Sequence, residues 1–438
     1  MEPMTRRRFI YTAAGAAAAG VLAACSGSSK KSTPTPTTKP KAGLGNPADA
    51  PFDTVVVLML ENRSFDHLLG WLPGARGKQA GLSYVDSAGK SHPTWPAAPD
   101  WQGWKYDDPM HDWQSVERQL NGGKSDGFLA TQKLGDTYPI SYYTEADLPV
   151  LAKLARSYTT LDQYFCSIAG ATWPNRFYMH CGATDVDETD IWPDLAHPNQ
   201  VLAPNFVRPS KLKLAIWDRL AAKGVSGGYY YNSEPMTGLF ASRKYDKISY
   251  RYDKFKADAA AGTLPNVTFL DPEYGAIAEF TGTSNDFHPH GSVKVGDAYI
   301  GEVYDILRKS PQWDRTVFVL TFDEHGGFYD HVTPPLVRDD NVNPNPGKHP
   351  NYKQLGFRVP CIVMGPYAPA KIVSAGPYEH CSILRMIEWR WGLEPMHARD
   401  RYAKNLAEVL DFSAARPPVE VPKVVVPATL PRPANAGA

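Results

Sequence analysis

A chain of 438 residues with 46 Lys+Arg against 46 Asp+Glu carries no net charge at pH 7. That balance argues against a nucleic-acid binder, which needs an excess of basic charge to neutralise phosphates. Eleven Trp and 23 Tyr suit a protein that meets organic or sugar-like ligands, without identifying one.

Residues 1–24 read as an export leader rather than part of a fold. Thr5-Arg6-Arg7-Arg8-Phe9 is a twin-arginine pattern. The uncharged Ala/Gly-rich stretch after it is shorter than the roughly 18–20 residues of a spanning helix. It ends in Leu22-Ala23-Ala24-Cys25, which resembles a bacterial lipobox, so Cys25 is the expected lipidation site. A fortuitous cysteine behind an ordinary signal is the alternative. The expected localisation follows: export by the twin-arginine route, then lipid anchoring at the outer side of the cell membrane, or secretion. Residues 25–50 hold Ser, Thr, Pro, Lys and Gly and almost nothing apolar, so they are expected to be a disordered tether. The body is expected over 51–412, and 413–438, rich in Pro, Val and Ala from Pro417, as an extended tail. Cys166, Cys181, Cys361 and Cys381 permit up to two disulfides, and no CxxC pair suggests a zinc ribbon.

Within the body, Thr54–Leu60 is an unalternated apolar run, as expected for a strand buried on both faces. Asn266–Asp271, Thr316–Phe322 and Pro360–Gly365 are similar, while Lys213–Lys223, Ala298–Lys309 and Ser382–Trp391 read as helices. Strand and helix at this spacing predict an α/β fold with a largely parallel central sheet and helices on both faces. In such sheets functional groups gather at the carboxyl ends of the strands.

Those ends carry chemistry. The first strand runs into Glu61-Asn62-Arg63-Ser64-Phe65-Asp66-His67, and the third into Asp323-Glu324-His325. Unpaired carboxylates there would cost several kcal/mol, so either basic partners or a divalent cation must compensate them. Glu, Asn and Asp oxygens suit a hard or borderline ion. In "CSIAGATWPNRFYMHCG", Pro174 reads as a first helical position, which sets Thr172 at a helix N-terminus. There it is either an anion-facing hydroxyl or simply the N-cap. His111, His288, His290 and His331 lie in loops rich in Asp, Gly and Pro. His67 and His325 adjoin the candidate ligands and are open to either role.

In this order the residues resemble the bacterial phosphoesterase family of non-haemolytic phospholipases C and respiratory-burst-inhibiting acid phosphatases. "LENRSFDHLLG", "AGATWPNRFY" and "DEHGGFYDHVTPP" carry the resemblance, supported by "PMHDW", "SDGF" and "FHPHGSVKVGDAYI". It implies an alkaline-phosphatase-like α/β fold with one divalent metal held by Glu61, Asn62, Thr172, Asp323 and Glu324. It implies that Thr172 attacks phosphorus, with His111 and His288 lining the phosphate pocket and His331 close by. His288-Pro289-His290 departs from the His-Pro-Pro of the phospholipase-like members. Gly326 and Gly327 are expected to turn the chain away from the metal and admit a substrate.

The expected function is phosphate-ester hydrolysis through a phosphothreonine, as a phospholipase C acting on phosphatidylcholine-type diesters. The alternative is an acid phosphatase acting on monoesters. A solute-binding lipoprotein without catalysis is less favoured, because it needs no nucleophile beside a metal. A sulfatase is disfavoured because its Cys/Ser-x-Pro-x-Arg motif is not met at Thr172.

Overall fold

The computed structural model describes residues 44–187, 210–233, 235–341 and 347–427. The expected leader, Cys25 and the tether as far as residue 43 lie outside them, as does the tail beyond residue 427. Leu44 already packs against the core, and Pro47–Asp49 form a short 3-10 turn capped by Asn46.

Eight strands make the main sheet: β1 (Thr54–Leu60), β2 (Thr159–Leu161), β3 (Gly227–Tyr231), β4 (Ser249–Arg251), β5 (Val267–Leu270), β6 (Thr316–Phe322), β7 (Cys361–Met364) and β8 (Lys371–Val373). Their order is β8-β2-β7-β6-β1-β5-β3-β4, with β7 antiparallel to its neighbours and every other pairing parallel. All seven side chains of β1 and of β6 are buried. Since successive residues of a strand face opposite sides, both faces of the sheet centre are covered.

Four helices matter for the site: α1 (Phe65–Leu69), α2 (Trp113–Leu120), α3 (Pro149–Ser157) and α4 (Thr172–Cys181). α3 packs on the long helix Val293–Lys309, and α4 on the helix His380–Trp391. The sequence placed the first of these long helices five residues too late. Its first turn, Val293–Asp297, includes buried polar Asp297, which breaks the apolar pattern. Among the described residues no helix is long and apolar enough to cross a membrane.

Cys166, Cys181, Cys361 and Cys381 are all buried and free, so the permitted disulfides do not form. Cys181, Cys361 and Cys381 belong to separate elements, and the Cys381 thiol faces the Tyr178 carbonyl at 3.5 Å. The described part of the tail has neither helix nor strand, yet Val419, Val421 and Val424 pack against the core.

Candidate active site

The parallel register of β1 and β6 pairs Leu60 with Phe322, so Glu61 and Asp323 emerge side by side. β5, on the other side of β1, ends just before Asp271. Three adjacent strands thus deliver carboxylates to one crevice. Asn62 turns the chain there with φ +55°, and its backbone N–H donates to Asp323 Oδ1 at 3.0 Å. Asn tolerates this left-handed conformation better than most residues.

Thr172 is the first residue of α4, and Pro174 the third rather than the first. The N-cap is Ala171, which offers no side-chain bond, so Thr172 is not the cap. Its hydroxyl instead donates across the crevice to Glu61 Oε2 at 3.2 Å and to Asn62 Oδ1 at 3.4 Å. One turn further, Arg176 lies on the same helix face. Its guanidinium meets Glu61 at 2.6 Å, Asp271 at 2.7 Å and Asp323 at 3.5 Å. Arg176 is the chief residue that the sequence reading left without a role, and the i,i+4 spacing from Thr172 was the available signal.

One guanidinium does not balance the site. Glu61, Asp271, Asp286, Asp323 and Glu324 are all buried, and Asp323 Oδ2 and Glu324 Oε1 accept no hydrogen bond. Burial, then the Glu61 charge, push the Asp323 carboxyl well above the ordinary carboxylate range. Burial and Glu279 push Asp286 up to about 8. Burial also works to raise Glu324, but His111 and His325 outweigh it and bring it below its usual value. Two buried oxygens without a hydrogen bond, in an all-oxygen donor set, fit a divalent cation.

His111 adjoins this set: its Nε2 meets the Asn62 amide at 3.3 Å and stands 4.0 Å from Glu324 Oε1, while Nδ1 faces the Pro109 carbonyl at 2.6 Å. Burial alone would lower His111; Glu324 and Asp108 overcome it and raise it to about 9. His288 stands next to His111, with ring centroids 6.1 Å apart. His290 faces the Tyr106 carbonyl at 3.0 Å and stacks on Trp104. The departure from His-Pro-Pro therefore braces the loop that leads to His111.

His331 falls in a second group. Its ring bonds to Asp66, and Arg358 reaches both Asp66, at 3.0 Å, and Asp330, at 2.9 Å. Arg358 supplies the positive charge of that group. His67 bonds to the Ser141 carbonyl and Arg63, and His325 bonds to Gln119 with its Nδ1 3.2 Å from Glu324 Oε2. Gly326 and Gly327 have φ +62° and +70°, as a sharp turn requires. A Cβ at Gly326 would strike the Asn62 carbonyl, and one at Gly327 would lie 2.7 Å from the Met110 carbonyl. The close approach these glycines admit is that of the protein's own chain.

A helix N-terminus that carries a hydroxyl over carboxylates at parallel strand ends suits chemistry on an anionic ester. The family model for the Phosphoesterase family matches residues 52–394, and the chain belongs to that family. It is a hydrolase acting on phosphoric ester bonds. It is 34% identical to non-specific phospholipase C6 of Arabidopsis thaliana, over 87% of this chain and 75% of that protein. Phospholipase C B of Mycobacterium tuberculosis is 30% identical over 94% of this chain and 87% of its own length. Among solved structures, an alkaline phosphatase superfamily protein from Vibrio parahaemolyticus covers 80% of this chain and 69% of its own at 13% identity and TM-score 0.37. Murine ectonucleotide pyrophosphatase/phosphodiesterase 5 covers 82% of this chain and 100% of its own at 10% identity and TM-score 0.41.

Proposed function

We propose that the chain is a metal-dependent phospholipase C, which splits phosphatidylcholine-type phosphodiesters through a phosphothreonine at Thr172. The observation that carries this is the Thr172 hydroxyl, set at the α4 N-terminus and donating to Glu61 and Asn62. Glu61, Asn62, Asp323 and Glu324, with Thr172, would hold one divalent ion, which when bound lowers the pKa of a hydroxyl and polarises a phosphoryl oxygen.

Glu61 Oε2 is placed to take the Thr172 proton as Oγ1 attacks phosphorus opposite the leaving oxygen. His111, whose Nε2 faces the Asn62 amide beside Thr172, lies where it can meet the equatorial oxygens, together with the N–H groups at the start of α4. His288 protonates the departing alcohol. His331 is the less suited acid, because its ring belongs to the Asp66–Arg358 group. Water then releases the phosphoryl group from Thr172, with His288 as base.

The names of the relatives support a diester substrate, since both proteins described above are phospholipases C. Export and anchoring through Cys25 would bring the enzyme to a membrane surface. The test compares para-nitrophenyl phosphorylcholine with para-nitrophenyl phosphate, using T172A as control. Preference for the choline diester, lost in T172A, is expected. Preference for the monoester would make the chain an acid phosphatase. A T172A variant that turns over normally would remove the nucleophile assignment.

A further inference from the structure

The His288 ring is flanked by two carboxylates that neither hold the proposed metal nor attack phosphorus. Its Nδ1 lies 3.1 Å from Glu279 Oε1, a charge contact without hydrogen-bond geometry in this conformation, and its Nε2 lies 3.6 Å from Asp108 Oδ2. His288 and Glu279 are each only 15% exposed in their side chains, so water competes weakly for the first contact. The backbone is fixed as well, because the His288 N–H donates to Asp286 Oδ1 at 3.0 Å. That same oxygen accepts the Ser284 hydroxyl. The charged and titratable groups facing His288 are therefore Glu279, Asp108, Asp286 and His111.

The two ring nitrogens are not equivalent. Nδ1 faces Glu279, on the short helix Ala276–Thr281. Nε2 looks toward Asp108 and thus toward the loop of His111, whose own Nε2 reaches Asn62. A carboxylate on one nitrogen fixes the ring's orientation and retains a proton there, so transfer occurs at the other.

We propose that Glu279 is a positioning residue for His288: it holds the Nδ1 proton and aims Nε2 at the leaving oxygen of the substrate. This rests on the phosphodiesterase reading above. In the first step the P–O bond to the leaving alcohol breaks, and the Nε2 proton moves to that oxygen. His288 is left neutral with its remaining proton on Nδ1, against Glu279. In the second step Nε2 takes a proton from the attacking water as the bond from phosphorus to Thr172 Oγ1 breaks. The proton lent to Glu61 then returns to Thr172.

The experiment measures E279Q, E279D, H288A and the E279Q/H288A double variant on two diesters of phosphorylcholine. One has an alkyl leaving group and needs the proton; the other is the para-nitrophenyl ester, whose leaving group does not. In single-turnover measurements of the first step, E279Q is expected to slow release of the alkyl alcohol about 10- to 100-fold, with little change in the burst of nitrophenolate; the second step, shared by both diesters, slows on each. The alkaline limb of its kcat–pH profile should move to lower pH, since the charge that supports the protonated ring is gone. E279D, which keeps that charge, should recover part of the rate, and E279Q should cost nothing further in H288A. Equal losses in the first step on both substrates, an unmoved pH profile, or additive effects in the double variant would overturn the assignment.

Asp108, His111 and His288 also offer three ligand atoms within 4.8 Å of one another. Divalent-metal content is therefore measured on the same samples. An ion present in wild type and lost from H288A would overturn the proton-transfer role. A wild-type enzyme that hydrolyses neither diester would overturn the underlying function as well, so the two failures are told apart.

Discussion

Arg176 shows how finely the crevice is balanced. It is buried and touches three carboxylates from three adjacent strands. Replacing it by Ala strands those charges, a loss of about 3–5 kcal/mol in urea unfolding. A change below about 1 kcal/mol would mean that the carboxylates are compensated without it. Asp297 offers a cleaner pH test, remote from the proposed metal ligands. Burial lifts its carboxyl to about 6, although it accepts hydrogen bonds from the Leu151 and Val150 N–H groups. The folded-state pKa lies above the unfolded value of about 3.9, so between those values the native state binds the extra proton. Stability from this group is therefore present at low pH and lost as pH rises from about 4 to 6. Wild type should lose roughly 2 kcal/mol relative to D297N across that window, read from unfolding curves. A constant difference would contradict the burial effect. The sequence exposed Glu61, Asn62, Asp323 and Glu324 because each follows an apolar run that ends in unmistakable polarity. It hid Arg176 and Asp271, since an arginine inside a helix and an aspartate after a short strand look like solvated charge until the chain is folded.

Elements explain which parts of the fold were legible. β1 and β6 are central, buried on both faces and continuously apolar, so their sequences admit few other structures. β4 (Ser-Tyr-Arg) and β8 (Lys-Ile-Val) are three-residue edge strands without a buried residue, and nothing local marks them. The start of α3 had one local mark, Pro149 at the first helical position. Its N-cap, Leu148, makes no side-chain bond, and the capping comes from Asp297 on another helix. D297A should destabilise the fold by about 1–3 kcal/mol, because two buried N–H groups lose their acceptor. Unaltered stability would mean that α3 needs no such cap. The tail is a second element that sequence alone undervalued. Arg308 forms an ion pair with Glu420 at 2.7 Å, and the Tyr304 hydroxyl bonds with both the N–H and the carbonyl of Val419. Deleting residues 417–438 should cost about 2 kcal/mol through lost valine packing. A truncated chain with the wild-type unfolding midpoint would show the strap to be dispensable.

At the scale of the molecule, an almost wholly parallel sheet gathers three carboxylate-bearing strand ends beneath the N-terminus of α4. An oxygen-rich crevice with surplus negative charge should depend on its cation for stability as well as for rate. Chelation should abolish hydrolysis and lower the thermal midpoint, and an added divalent ion should restore both. A chelated enzyme with full activity would remove the metal from the account. The proposed anchor makes a separate prediction: C25A should move the mature protein from the membrane fraction to the soluble one. Retention on the membrane would point to another means of attachment.

The central claim is that Thr172 becomes covalently phosphorylated during turnover. The most direct measurement is mass spectrometry of enzyme acid-quenched during hydrolysis of a phosphorylcholine diester, with T172A in parallel. The account predicts a phosphorylcholine group on the peptide that contains Thr172, present only during turnover and absent from T172A. An unmodified Thr172 peptide at every quench time, with hydrolysis proceeding normally, would contradict it.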